Sequence, residues 1–330
     1  MSETHIRSFI DVFPVAGKFT ISRGSRTEVR VVRVEVERDG VVGRGECVPY
    51  ARYGETPEQT LADIAAFGAA YAAGLDRMGL QTLLPPGAAR NGIDCALWDL
   101  ESRLIGRGVA GLAGVGVPDT VVTAYTISLD TAEAMAEAAR KAAHMPLLKL
   151  KLGADGDAER LRAVREAVPN ARLVVDANEG WTSGVLEPML ALSAELGVEL
   201  VEQPLPAGDD AMLAQVAHAV PICADESAHA LAGLDQLVGR YDAVNIKLDK
   251  TGGLTEALAV ARRAKALEMK IMVGCMLSTS LSMAPAALLA ADADWVDLDG
   301  PLLLAEDRPG GMVYRDGVIA LDGATLWGRG

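Results

Sequence analysis

From residue 121 onward, short apolar runs recur at regular intervals, separated by segments with helical spacing. The runs are VVTAYTIS (121–128), LLKLKL (147–152), RLVVDAN (172–178), VELVEQP (198–204), PICADE (221–226), AVNIKL (243–248), KIMVGC (270–275) and WVDLDG (295–300). Each reads as a buried strand, and helix-compatible stretches such as AEAMAEAARKAAH and TEALAVARRAKALE lie between them. Eight such units favour a closed parallel α/β barrel of the TIM type. An open doubly wound sheet is the alternative, but it would normally carry a glycine-rich βα turn, and none is present.

The first third reads differently. Residues 6–14 and 28–48 have strand patterning, with a hairpin signal at Asp39-Gly40, and helical patterns follow at 57–75 and 88–104. This α+β capping module is expected to run to residue 118, with the barrel over 119–300. The irregular segment 301–330 is expected to return and complete the module.

Charged residues sit at the ends of the barrel runs: Lys149 and Lys151, Asp176, Glu202, Asp225 and Lys247. A charge at the end of a buried strand is costly unless paired, solvated or metal-bound. Glu202 follows Asp176 by 26 residues and Asp225 follows Glu202 by 23. Each gap is one strand–helix unit, so the three acids belong on adjacent strands, at the end where such barrels carry their sites. Three carboxylates repel one another without a cation. All-oxygen ligation with no His or Cys suits Mg2+, with Mn2+ as a substitute, rather than zinc. Asn178 and Glu226, just behind two of the acids, are expected to support them.

Lys149 and Lys151 alternate with leucines and so share the inward face. Two neighbouring ammonium groups beside a cation are expected to depress each other's pKa, making one a general base. Lys247, four strands later, lies across the barrel mouth. A base on each face of a carbon is the arrangement of a racemase or epimerase. A proton next to a carboxylate is a very weak acid, and metal coordination stabilises the enediolate left by its removal.

Composition narrows the partners. Net charge is −14, which disfavours nucleic acid and anionic membrane. No apolar stretch approaches the roughly 20 residues of a membrane span. Four scattered cysteines, Cys47, Cys95, Cys223 and Cys275, suit reduced thiols in a cytoplasmic protein. A small-molecule partner is expected; a homo-oligomer is compatible with the sequence.

These residues together resemble the enolase superfamily, in its muconate-lactonizing-enzyme-like subgroup, over nearly the whole chain. The resemblance implies a modified (β/α)7β barrel with an N-terminal capping domain, and Lys151 and Lys247 as the catalytic pair. It casts Lys149 as the residue that tunes Lys151 beside the substrate carboxylate. Asp297 and Asp299 end the eighth run as DxD, both on one face. Dipeptide epimerases of this subgroup bind the dipeptide amino terminus with such a pair. The segment NIKLDKTGGLTEAL and the DLDG run resemble bacterial L-Ala-D/L-Glu epimerases. By the same resemblance FTISRGSRTE (19–28) is the specificity loop, where Arg26, with Arg23 in reserve, meets a glutamate side chain. YARYGET (50–56) supplies Tyr50, Arg52 and Tyr53 as lid residues. Thr126 contacts the dipeptide, and Cys275 and Met276 line the pocket. The implied activity is Mg2+-dependent dipeptide epimerisation in murein peptide metabolism. The rival activities are a dipeptide epimerase of other side-chain specificity, an N-acylamino-acid racemase or cycloisomerase on the same scaffold, and a non-catalytic binding barrel.

Overall fold

The computed structural model describes residues 4–153, 155–321 and 325–329. The chain begins with an antiparallel sheet of β1 (Thr4–Ile21), β2 (Gly24–Arg38) and β3 (Val41–Cys47). Asp39 (φ 54°) and Gly40 (φ 77°) make the left-handed two-residue turn that suits the twist of a β-hairpin. Val32, Val34 and Val36 face inward against Ile64 and Phe67 of the helix Pro57–Ala72 and Ile93 and Leu97 of the helix Ala88–Ile105. A Cβ on Gly43 or Gly45 would lie 2.2 Å from a carbonyl oxygen of the second helix, so glycine lets strand and helix touch.

The expected specificity loop is not irregular. Residues 19–26 continue β1 and β2 as a paired hairpin (Phe19↔Arg26, Thr20↔Ser25, Ile21↔Gly24), after a register shift between Pro14 and Phe19. Its tip reaches the barrel, where Ser22 Oγ and Arg23 Nη1 both donate to Asn178 O, at 3.2 and 3.0 Å.

After β4 (Thr120–Val122), eight parallel strands follow in sequential order. They are β5 (Tyr125–Ile127), β6 (Leu147–Lys151), β7 (Arg172–Asp176), β8 (Val198–Glu202), β9 (Ile222–Ala224), β10 (Ala243–Ile246), β11 (Lys270–Gly274) and β12 (Trp295–Asp297). The seam between β12 and β5 is closed by Ala124 N–H donating to Val296 O (2.7 Å) and Leu298 N–H to Thr123 Oγ1 (2.9 Å). Leu147, Val174, Leu200, Cys223, Ala243, Met272 and Trp295 fill the barrel interior. The alternate residues Leu148, Leu150, Val175 and Val201 join the layer beneath the helices. Lys149 and Lys151 therefore point inward, as the alternation requires.

Two crossovers lack the expected helices. Between β8 and β9 the chain forms only the 3-10 turn Ala211–Gln215, and between β9 and β10 only Leu234–Leu237. Pro204, Pro206 and Gly208 in the first, and Gly233 and Gly239 in the second, interrupt any longer helix. After β12 comes only the short helix Gly300–Leu303. The segment beyond it divides. Ala305 N–H donates to Pro14 O (2.8 Å), whereas Met312, Ile319 and Trp327 join the barrel's outer core. There β13 (Val313–Arg315) and β14 (Val318–Ala320) form a small sheet with β4.

One buried charge group joins three parts of the chain. Glu46 at the end of β3 accepts from Thr279 N (2.8 Å), Thr279 Oγ1 (2.7 Å) and Arg308 Nε (2.8 Å), and Arg308 also meets Asp11 at 2.8 Å. Burial pushes the Glu46 carboxyl above its ordinary range despite Arg308. Removing the guanidinium leaves Glu46 buried and uncompensated. Arg308→Met is expected to lower stability by about 3–5 kcal/mol in urea titration. An unchanged unfolding midpoint would show that the cluster is no clamp.

Candidate active site

Strand register puts the charges in line. Lys151 pairs with Asp176 across β6 and β7, and Asp176 pairs with Glu202 across β7 and β8. Asp225 and Lys247 follow β9 and β10 directly. Inside the mouth, Lys149 Nζ lies 2.6 Å from Glu202 Oε2, 2.7 Å from Asp297 Oδ2 and 3.2 Å from Asp176 Oδ2. Lys151 Nζ donates to Asp176 Oδ2 (2.6 Å), and Lys247 Nζ to Asp225 Oδ2 (2.6 Å). All six expected strand-end residues converge. Lys151 and Lys247 stand four strands apart in a barrel of eight, on opposite sides of the mouth.

The charges polarise one another. Against strong burial, Lys151 and Lys149 hold Asp176 below the ordinary carboxylate range, and Lys247 and Lys250 hold Asp225 well below it. Glu202 moves the other way, pushed up to about 7 by burial and Asp176, because it shares Lys149 with two other acids. The expectation that Lys149 and Lys151 lower each other is not met for Lys149. Burial opposes its charge, but Asp297, Glu202 and Asp176 raise its pKa well above the ordinary lysine value. Lys149 is therefore a fixed cation. Lys151, with Asp176 as its acid partner and the Phe19 ring 6.0 Å away, borders the cleft.

The cleft has two lobes that share Phe19, Lys151, Lys247, Cys275 and Met276 as walls. The inner lobe ends at Asp297, Asp299, Lys149 and Thr126. Thr126 N–H donates to Asp299 Oδ2 (2.7 Å), while Asp297 Oδ1 has no donor among the described residues. Burial and Asp297 push the Asp299 carboxyl up to about 7. The outer lobe is lined by Arg23, Arg26, Tyr50, Tyr53, Asn178 and Glu226.

The two arginines differ. Both terminal nitrogens of Arg23 are engaged, donating to Glu226 Oε1 (2.7 Å), Glu179 Oε2 (3.2 Å), Tyr50 OH (3.1 Å) and Asn178 O. It ties the hairpin to the barrel. Arg26 stacks over the Tyr50 ring (5.5 Å to the centroid) and pairs with no carboxylate among the described residues. Neither expected support reaches its acid by side chain. Asn178 supports Asp176 through its backbone N–H (2.9 Å to Oδ1) from a left-handed conformation (φ 45°). Glu226 binds Arg23 rather than Asp225. Of the lid candidates, Tyr50 and Tyr53 line the outer lobe, and Arg52 pairs with Glu179 (2.8 Å).

Four participants lay outside the sequence reading. Lys250 Nζ donates to Asp225 Oδ1 (2.6 Å), Asn245 Nδ2 to Glu202 Oε1 (2.6 Å), and Gln203 Oε1 accepts from Asp225 N (2.9 Å). Glu179 anchors both Arg23 and Arg52. The inward alternation of Asn245 with Lys247 was the one available signal.

In its chemistry the donor set suits a hard cation, although among the described residues no three of the acids are placed to grip one as they stand. Asn178 Oδ1, Glu202 Oε2, Glu226 Oε2, Asn245 Oδ1 and Asp297 Oδ1 are buried oxygens with no aligned hydrogen-bond donor among the described residues. Every one is an acceptor, so the site is short of positive charge or donors. Three carboxylates on adjacent strands offer only oxygen, and Cys223, in register with Glu202 in the barrel interior, is held as a thiol by burial and by Glu202, so the set matches Mg2+ rather than zinc.

The sequence matches the family described as mandelate racemase/muconate lactonizing enzyme, N-terminal domain, over residues 4–114, and the one described as enolase C-terminal domain-like over 131–325. It is 47% identical to the L-Ala-D/L-Glu epimerase of Escherichia coli K12, covering 96% of this chain and 99% of that protein. It is 43% identical to the N-acetyl-D-glutamate racemase of a Pseudoalteromonas species, over 87% and 91% of the two chains. A crystal structure from Agrobacterium tumefaciens, an enolase family member with homology to dipeptide epimerases and bound sodium and L-Ala-L-Glu, superposes with a TM-score of 0.97. It is 52% identical and covers 99% of this chain and 100% of its own. With the capping sheet and the parallel barrel both matched, the chain belongs to the mandelate racemase/muconate lactonizing enzyme group of the enolase superfamily.

Proposed function

We propose that the protein is a divalent-metal-dependent dipeptide epimerase that inverts the α-carbon of the C-terminal residue, with L-Ala-D-Glu and L-Ala-L-Glu as its favoured pair. The observation that carries this reading is the position of Lys151 and Lys247 between an inner lobe that ends at Asp297 and Asp299 and an outer lobe that carries Arg26. A free amine complements the Asp297/Asp299 end, and an acidic side chain complements unpaired Arg26. The Escherichia coli relative carries this dipeptide pair in its name, and the Agrobacterium neighbour holds L-Ala-L-Glu. Such dipeptides derive from murein, which suggests cell-wall peptide recycling. The four free cysteines suit a reducing cytoplasm.

Asp176, Glu202 and Asp225 would hold Mg2+, which supplies positive charge beside the substrate carboxylate and acidifies the neighbouring C–H bond. Lys149 adds a fixed positive charge in the same region. Against burial, Asp225 and Glu202 raise Lys247 well above the ordinary lysine value in the metal-free chain, and a cation held by those carboxylates would withdraw that support. Lys151 or Lys247, as a free amine, then takes the α-proton, and the other, as an ammonium on the opposite face, returns one. The protonation states of the two lysines exchange in each turnover, so one site serves both directions. Phe19 and the capping hairpin cover the lysines and limit exchange with bulk water.

A second reading is racemisation of N-acyl amino acids. One observation favours it: Lys149 already neutralises Asp297, which reduces the inner lobe's need for a cationic amine. Comparing kcat/KM for L-Ala-L-Glu and N-acetylglutamate decides between them. A preference for the acylated substrate would replace the dipeptide reading.

Three outcomes are expected. Lys151→Ala and Lys247→Ala each abolish epimerisation, while each retains solvent deuterium exchange into one epimer only, followed by proton NMR; full epimerisation by either variant refutes the two-base scheme. Arg26→Met raises KM for L-Ala-L-Glu by roughly 10- to 100-fold, the loss of one charge-assisted hydrogen bond. L-Ala-L-Leu serves as the control substrate, and an equal loss on it would remove Arg26 from specificity. Finally, Glu202 titrates near 7 in the metal-free chain. Below that pH an incoming cation must displace its proton. Apparent Mg2+ affinity therefore falls as pH drops through about 7, by up to about tenfold per unit, and levels off above it. Calorimetric titration from pH 5.5 to 8.5 reads this directly, and a flat profile would contradict the assignment of Glu202.

A further inference from the structure

The three acids share a feature that their positions on separate strands do not require. In each, one carboxylate oxygen is engaged by a fixed donor of the chain, and the other is turned toward the lysines of the site. Asp176 Oδ1 accepts from Asn178 N (2.9 Å) and Oδ2 faces Lys151. Glu202 Oε1 accepts from Asn245 Nδ2 (2.6 Å) and Oε2 faces Lys149. Asp225 Oδ1 accepts from Lys250 Nζ (2.6 Å) and Oδ2 faces Lys247.

The third restraint is the unusual one, because it uses a charged group that takes no part in the proton transfer. The Lys250 side chain is fully buried, in the short helix Leu248–Thr251 that begins one residue after Lys247. Besides Asp225 Oδ1, its ammonium donates to Asp225 O (2.7 Å) and Asn245 O (2.9 Å). An ammonium has three donors, and these three oxygens use them all. A neutral donor would suffice to satisfy Asp225. A buried ammonium with no freedom to turn holds Oδ1 far more firmly.

Denticity distinguishes hard cations. Mg2+ demands near-octahedral geometry with single-oxygen ligands, whereas Ca2+ takes six to eight oxygens and readily accepts bidentate carboxylates. We infer that Lys250 is a positioning residue that restricts Asp225 to one available oxygen and so sets the preference of the site for Mg2+ over Ca2+. This rests on the reading of Asp225 as a metal ligand.

The test is calorimetric binding of Mg2+ and Ca2+, each alone, to the full chain, without substrate. The quantity read is the ratio of the Ca2+ to the Mg2+ dissociation constant. Loss of the Lys250 charge alters the affinity for both divalent ions alike and cancels in the ratio, as does general loosening of the fold. Lys250→Met frees Asp225 Oδ1 and is expected to lower the ratio by about tenfold or more. Lys250→Gln keeps a donor for Oδ1 and is expected to stay within about threefold of the parent. Lys250→Leu replaces the methionine variant if that one does not fold. An unchanged ratio in the donor-free variant, with Mg2+ binding abolished by Asp225→Asn, overturns the role of Lys250 and leaves the metal site standing. Mg2+ binding that survives Asp225→Asn overturns both.

Discussion

The constraint on which this protein turns is the compensation of charge inside the barrel mouth. Lys149, Lys250, Asp176 and Glu202 have side chains no more than 1% exposed, and Lys151, Lys247, Asp225 and Asp297 are nearly as enclosed. Isolated, each would cost several kcal/mol to bury. Paired in register across neighbouring strands, they form an alternating lattice of cations and anions in which no member can be removed without exposing another. The arrangement is short of positive charge even so, as the raised Glu202 and Asp299 carboxyls and the undonated oxygens indicate. A fold that leaves a small, specific deficit of cation at its centre is prepared to bind one.

That lattice needs a lid, because water would screen it. The capping module supplies the lid and also holds the barrel loop behind Lys247. Arg90 donates to Thr251 O (2.6 Å), Asn91 to Asp249 Oδ1 (2.8 Å), and Asp94 accepts from Thr255 N (2.9 Å). These contacts grip residues 249–255 from one helix, so the short helix bearing Lys250 is held by the cap on one side and by the Lys250–Asp225 pair on the other. Glu179 does the same for the opposite rim, drawing Arg23 and Arg52 from separate parts of the cap onto one carboxylate.

Much of this was legible in the sequence, for a definite reason. Period-two alternation fixes which side chains enter a barrel, so LLKLK and LVVD declared their inward charges without any tertiary information. Lys250 was invisible because a lysine in a short helix after a strand looks like a surface residue; only Asp225, 25 positions upstream, makes it a buried one. Arg26 was favoured over Arg23 by resemblance alone, since the physical difference between them is Glu226, 203 residues away. The missing crossover helices around β9 were foreshadowed by proline and glycine, but an expected alternation of strand and helix outweighed those signals. The pairing of the hairpin through residues 19–26 was obscured by its polar composition, because Ser22 and Arg23 serve contacts with Asn178 and Glu226 that lie far away in the chain.

The two halves of the cleft are built from unlike material, and that bears on how such a site changes its substrate. Asp297, Lys149 and Asp176 stand on strands of one sheet, locked by ladder hydrogen bonds and by each other, so the inner lobe tolerates little adjustment. Arg26 stands near the tip of a hairpin held to the barrel by polar contacts from Thr20, Ser22 and Arg23, none of them its own. Replacing Arg26 disturbs none of the buried pairs, whereas replacing Arg23 would leave Glu226, already raised by burial and by Asp225, without its counter-charge. On the proposed function, side-chain specificity can therefore drift at Arg26 while the buried pairs stay fixed, because Arg23, three residues away, carries the contact with Glu226.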